Sequence, residues 1–183
     1  MKLLEVNSPA HQREFFEMAV RLYKGEKNWI RPLDKDIEDL FHPETNKLFR
    51  HKAEAIRWLL IDDQGQTIGR IAAFINPKWK EKQPTGGMGF FECINDQDAA
   101  FLLFDAAKEW LASKGMEAMD GPVNFGERDK WWGLLVEGFS PPNYNMPWNF
   151  AYYKDFFEAY GFQIYFKQYT YMRPVKGVGF DQK

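Results

Sequence analysis

The chain has 183 residues, 45% of them hydrophobic and 27% charged, a composition that fits a soluble globular protein and excludes a disordered, collagen-like or disulfide-framed one. A formal net charge of -2 argues against broad attraction to nucleic acid or anionic lipid, and the single cysteine, Cys93, cannot close an internal disulfide. A cytoplasmic protein with no nucleic-acid or membrane partner is therefore expected, because no stretch approaches the roughly 20 apolar residues that span a bilayer. The 17% aromatic content is high enough to fill a core or line a groove.

Leu3 to Val6 predicts a short opening strand. Ser8 then caps a helix with Pro9 at its first position, where a missing N–H costs nothing, and Phe15, Met18, Ala19 and Leu22 follow at helical spacing to Gly25. A shorter helix is predicted over Leu33 to Phe41, ended by His42-Pro43. Ala55 to Asp62 is apolar on both faces and reads as an internal strand. Asp63-Gln64-Gly65 turns the chain into a partner strand from Thr67 to Ile75.

Pro77, Pro84 and paired glycines predict a loop over 76–87, with Gly86-Gly87-Met88-Gly89 as a turn, and a third strand from Gly89 to Ile94. Strict alternation puts Gly89, Phe91 and Cys93 on one face and Phe90, Glu92 and Ile94 on the other. Asn95 or Asp96 caps the strongest helix, with Ala99, Leu102, Leu103, Ala106, Trp110 and Leu111 as its buried stripe and Lys114-Gly115 as its end. A strand over Ala118 to Val123, an irregular stretch from Asn124 to Trp148, a helix from about Ala151 to Tyr160 and a last strand over Gln163 to Tyr171 complete the chain. The resulting order is β-α-α-β-β-β-α-β-α-β, an α/β (α+β mixed-sheet) domain over 1–175 with a tail at 176–183.

That order resembles the GNAT acyltransferase superfamily over nearly the whole chain. The stretches Gly89-Phe90-Phe91-Glu92-Cys93-Ile94, Gly121-Pro122-Val123-Asn124 and Gly133-Leu134-Leu135-Val136-Glu137-Gly138-Phe139 are similar to a bacterial GNAT-like group whose members are often longer and carry a second GNAT-like half. The resemblance implies transfer of an acyl group from acetyl-CoA or another acyl-CoA to a small-molecule amine. It also implies a partner in the form of a homodimer or a second GNAT-like half. The alternative is a catalytically degenerate GNAT-like module that binds a ligand or partner through the aromatic loop 125–148.

On the acyltransferase reading the catalytic residues are Glu92, as general base, and Tyr153, as acid. The strand-to-helix junction Cys93, Ile94, Asn95, Asp96, Gln97 and Asp98 holds the cofactor, and Asn124, Trp131 and Trp132 contact the substrate. A carboxylate among apolar neighbours has its pKa pushed up, which suits a base, whereas Arg70 or Arg57 on neighbouring strands would make Glu92 a structural ion pair. The resemblance also implies a Gly-rich turn for the diphosphate, but the junction here contains two aspartates and no glycine. Unit charges about 4 Å apart at an effective dielectric near 20 repel by roughly 4 kcal/mol. The helix dipole offers at most ~2 kcal/mol in return. The implied acid position, four residues before Gly161-Phe162, is Phe157, which has no proton to give; Tyr152 and Tyr153 lie one turn earlier. His11, His42 and His51 lack metal-ligand spacing, so no metal is expected. Cys93 reads as a core thiol, and Lys78, Lys80 and Lys82 as a solvated loop.

Overall fold

The computed structural model describes residues 1–79, 82–126 and 133–173. The elements are β1 (Lys2–Glu5), α1 (Pro9–Leu22), α2 (Asp34–Phe41), a 3-10 turn (Lys47–His51), β2 (Glu54–Ile61), β3 (Thr67–Ile75), β4 (Thr85–Cys93), α3 (Gln97–Ser113), β5 (Ala118–Asp120) and α4 (Tyr153–Tyr160). They build a mixed α/β domain around one five-stranded sheet of order β1-β2-β3-β4-β5. Neighbours are antiparallel from β1 to β4, while β4 and β5 run parallel.

Two apolar layers follow from the pleat. Leu59, Ala72 and Phe90 face α1 and α2 and pack on Phe15, Phe16 and Ile37. Ile71, Ala73, Met88, Phe91 and Cys93 face α3 and α4 and pack on Ala99, Leu103, Phe104, Ala107, Tyr153, Phe156 and Phe157. Ser8 caps α1 through its hydroxyl, which accepts the His11 N–H, as the sequence predicts.

Four expectations are corrected. Gly86, Gly87 and Gly89 lie inside β4 rather than in a turn, because backbone and rings approach too closely for a side chain: a Cβ on Gly86 would lie 2.2 Å from Leu111, and one on Gly87 2.3 Å from Phe74. The pairing of β3 with β4 shifts between Arg70 and Ala72, and Phe90 takes φ 54°. That bulge puts Met88, not Gly89, on the face of Phe91 and Cys93, whereas Phe90 and Glu92 keep the opposite face. On α3 the buried stripe includes Phe104 and Ala107, while Leu102 is exposed. Gln163 to Tyr171 forms no strand, and Ile164, Tyr165, Phe166, Tyr169 and Tyr171 stand exposed. Alternation supplies a strand's faces, but a strand also needs a hydrogen-bonded neighbour, and no described strand pairs with this segment.

The β4–β5 seam is short and sets up everything that follows. Thr85, Gly86 and Gly87 pair with Ala118, Met119 and Asp120, and the Val123 N–H then donates to the Met88 carbonyl. Beyond that point β4 runs on to Cys93, whereas Phe125 leaves to pack with Phe74 and Leu48 on the α1–α2 side of the sheet. The last contact before the two chains part is Gly89 against Val123: a Cβ there would lie 2.0 Å from the Val123 carbonyl oxygen, which is backbone and cannot swing aside. Gly89→Ala is expected to cost about 3 kcal/mol, the upper end for overpacking. Urea unfolding monitored by circular dichroism will show it as a lower midpoint at an unchanged slope.

Candidate active site

Where β5 ends, Cys93 has lost its neighbour on that edge, and both of its peptide groups are met by phenols. The Cys93 N–H donates to the Tyr153 hydroxyl at 2.8 Å, and the Tyr152 hydroxyl donates to the Cys93 carbonyl at 2.9 Å. Both tyrosines come from the start of α4, which packs across α3. Tyr153 is 1% exposed. The Phe157 position, one turn later, is filled by core: its ring meets Phe91, Phe104 and Phe162.

Glu92 projects from the other face of β4 and is the centre of the site. Its Oε2 accepts from the Tyr23 hydroxyl at 2.5 Å and from the Tyr153 hydroxyl at 2.9 Å. Its Oε1 lies 3.6 Å from Arg70 Nη2, on the residue opposite it in β3. Arg70 is held in turn by the Phe15 carbonyl, to which Nη1 donates, and by the Phe15 ring 4.8 Å from its guanidinium carbon. Thus both readings of Glu92 are realised in one geometry: it is a buried carboxylate and it is paired with Arg70.

Burial is the dominant influence on every group here. It pushes the Glu92 carboxyl above its ordinary range, against the pull of the Arg70 charge and the two phenols. It pushes Tyr23 and Tyr153 well above the usual phenol range, helped by the Glu92 charge. The Cys93 thiol is pushed up to about 12 by burial and by Asp96 and Glu92, so it is no nucleophile. What Cys93 offers is its backbone.

An aromatic wall closes the site. Tyr23, the residue capping the end of α1, stacks on Trp29 at 4.7 Å and 12° and on Phe150 at 4.8 Å and 16°; Phe150 stacks in turn on Tyr152 at 5.2 Å and 12°. Trp148 meets Tyr23 edge-on at 5.9 Å, and its buried Nε1 has no hydrogen-bond acceptor among the described residues. Asn149 fixes this segment by bonding both the N–H and the carbonyl of Leu135.

The junction residues divide. The Ile94 N–H is bound by the Ile68 carbonyl in the sheet. The Asp96 side chain caps α3 by accepting the Ala99 N–H at 3.0 Å. Asn95, Gln97 and Asp98 are exposed, and the first-turn N–H groups of Gln97 and Asp98 have no acceptor within the helix. Two N–H donors at this terminus therefore lack an intrahelical partner, beside two carboxylates.

Asn124 is buried; among the described residues its Oδ1 has no hydrogen-bond partner and no contact joins it to Glu92. Trp131 and Trp132 lie outside the described residues, as do Lys80 and the tail at 176–183. Tyr23 and Trp29 were not among the residues singled out by sequence. The available signal for Tyr23 is its place four residues after Ala19 on the buried stripe of α1, which brings a hydroxyl to an apolar face.

Comparison with solved structures identifies the architecture. An aminoglycoside 6'-N-acetyltransferase from Acinetobacter baumannii superposes with a TM-score of 0.54 at 10% identity, covering 95% of this chain and 98% of that one. A probable acetyltransferase superposes at 0.51 with 13% identity, covering 96% and 98%. The chain has the GNAT acetyltransferase fold. No protein-family model matches it. In sequence it is 33% identical over 145 residues to "Bacterial ceramide synthase" of Caulobacter vibrioides, covering 78% of this chain and 37% of that protein. It is 30% identical over 156 residues to "Protein YghO" of Escherichia coli, covering 82% and 38%. The chain thus spans well under half the length of these relatives. No helix among the described residues is long and apolar enough to cross a membrane.

Proposed function

We propose that this domain carries out N-acyl transfer: an acyl group moves from a thioester, acyl-CoA or a related carrier, to the primary amine of a long-chain, lipid-like acceptor. The observation that carries the reading is the buried Glu92 carboxylate, linked by one phenol to the backbone edge of Cys93, which two tyrosines rather than a strand occupy where β4 and β5 part. The GNAT-type fold supports the reaction class. The relative named as a ceramide synthase supports the acceptor class, since ceramide is a long-chain amino alcohol acylated on nitrogen. The apolar aromatic wall of Trp29, Tyr23, Phe150 and Trp148 suits such an acceptor better than a polycationic one.

In this reading Glu92 accepts the proton of the attacking amine, and its raised pKa keeps it basic enough to do so. The amine nitrogen forms the C–N bond as the C–S bond breaks. Tyr153, hydrogen-bonded to Glu92 and to the Cys93 N–H, returns the proton to the departing thiolate, so the proton count closes on amide and free thiol. The arm of the donor lies along the Cys93 edge in place of the Tyr152 hydroxyl. Asp96 and Asp98 leave the diphosphate weakly held, so the thioester arm and acyl chain contribute most of the donor's binding.

The test measures thiol release from acyl-CoAs of increasing chain length with a long-chain amino alcohol or an aminoglycoside as acceptor. Release that depends on the lipid-like amine and yields its amide supports the reading. Folded protein that releases no thiol above spontaneous hydrolysis with any pair overturns it.

A further inference from the structure

We propose that Tyr23 is the positioning residue of this site: its hydroxyl clamps Glu92 Oε2, leaving Tyr153 as the phenol that moves a proton. The inference rests on the acyl-transfer reading but is carried by a different observation, the unequal hydrogen bonding of two phenols that share one oxygen.

Tyr153 has alternatives. Its oxygen accepts from the Cys93 N–H, and its proton can point to Glu92 Oε2 at 2.9 Å or to the Cys93 carbonyl at 3.3 Å. The carbonyl is already served by Tyr152, so a switch of the Tyr153 proton strands no acceptor. Tyr23 donates to Glu92 Oε2 at 2.5 Å, with the Tyr153 hydroxyl as another polar neighbour and one that lowers its pKa as a donor would. Its ring is held between Trp29 and Phe150 in near-parallel stacks, with Trp148 against its edge, so rotation away from Glu92 would break three aromatic contacts. One phenol is mobile in its bonding and the other is locked.

The charged and titratable groups around Glu92 are few enough to name. Tyr23 approaches from α1, Arg70 from β3, Tyr152 and Tyr153 from the start of α4, and Cys93 is its own neighbour on β4. Arg57 on β2 shares the Phe15 ring with Arg70, and its own pKa is lowered by burial first and by the Arg70 charge as well. Of these only Arg70, Tyr23 and Tyr153 favour the ionised carboxylate directly. The Tyr23 bond is stronger to the ionised carboxylate than to the neutral acid, so its loss leaves a base that holds its proton more tightly and is less fixed in direction.

The experiment compares the wild-type chain with Tyr23→Phe, which keeps the stacked ring, and follows the Glu92 carboxyl by carbon-13 NMR titration in protein without substrate. Loss of one hydrogen bond to a charged group is expected to raise the Glu92 midpoint by about one pH unit or more, a tenfold change in proton affinity. The acidic limb of kcat/KM moves up by the same amount, a shift in the profile that a merely structural role for the ring would not produce, whereas Tyr153→Phe lowers the plateau. An unchanged Glu92 midpoint in folded Tyr23→Phe overturns the inference. If that variant fails to fold, 3-fluorotyrosine placed at position 23 keeps the ring and strengthens the donor. The Glu92 midpoint must then fall, and its failure to move overturns the inference equally. Because the titration needs no turnover, a chain that transfers no acyl group but shows the shift separates failure of the functional reading from failure of the role given to Tyr23.

Discussion

Replacing Glu92 with glutamine is expected to lower kcat/KM for acyl transfer by about 10²–10⁴-fold, the range spanned by a positioned general base. Glutamine preserves the shape of the side chain and an amide oxygen that still accepts from Tyr23 and Tyr153, so the aromatic wall has no reason to collapse. What it removes is the lone pair that takes the amine proton, together with the charge facing Arg70, so a lower melting temperature is expected beside the loss of activity. The sign of the pH dependence follows from the raised pKa of Glu92. Wild-type activity is lost as pH falls through a value above the ordinary glutamate range, and this limb is absent from whatever activity Glu92→Gln retains. A pH profile of both proteins, with thermal melts beside it, separates loss of the base from loss of the fold. A variant as active as wild type across the profile would remove Glu92 from the chemistry.

Much of this architecture can be read from local patterns, and the exceptions have a common cause. Ser8 followed by Pro9, the Asp96 cap and the β3 run from Thr67 to Ile75 are local signals, and the structure places all three as the sequence implies. The misread elements depend on what lies across from them. Three glycines within five residues look like a turn until Leu111, Phe74 and Val123 are brought against them. The alternating 163–171 run has a strand's composition, but no described strand pairs with it. The bulge at Phe90 is invisible to strict alternation because it inserts one residue into the count. The site divides in the same way. Glu92 and Arg70 can be suspected from a charge on a buried strand, because adjacent strands of one hairpin fix their register. Tyr23 lies 69 residues from Glu92 in sequence, and only the packing of α1 on the sheet joins them.

Arg70→Met is expected to destabilise the domain by about 3 kcal/mol or more near pH 8, since removing one partner of a buried ion pair leaves the other charge uncompensated. Arg70 is 5% exposed, so water cannot replace it, and its Nη1 bond to the Phe15 carbonyl and its contact with the Phe15 ring are lost as well. The penalty is not fixed, because Glu92 can escape it by taking up a proton. Its folded-state pKa is already raised above that of the unfolded chain, and without Arg70 it rises further. A carboxyl with a raised folded pKa contributes stability that is present at low pH and lost as pH rises through the folded value. The Arg70→Met deficit should therefore shrink as pH falls toward 5 and grow toward 8. Adding Glu92→Gln to Arg70→Met removes the stranded charge while leaving an acceptor for both phenols, so the double variant should be more stable than Arg70→Met alone at pH 8. Urea unfolding of the four proteins at both pH values measures the coupling directly. A double variant that is merely the sum of its parts would mean that the 3.6 Å approach of Arg70 to Glu92 carries no energy, and that desolvation alone sets the proton affinity of the base.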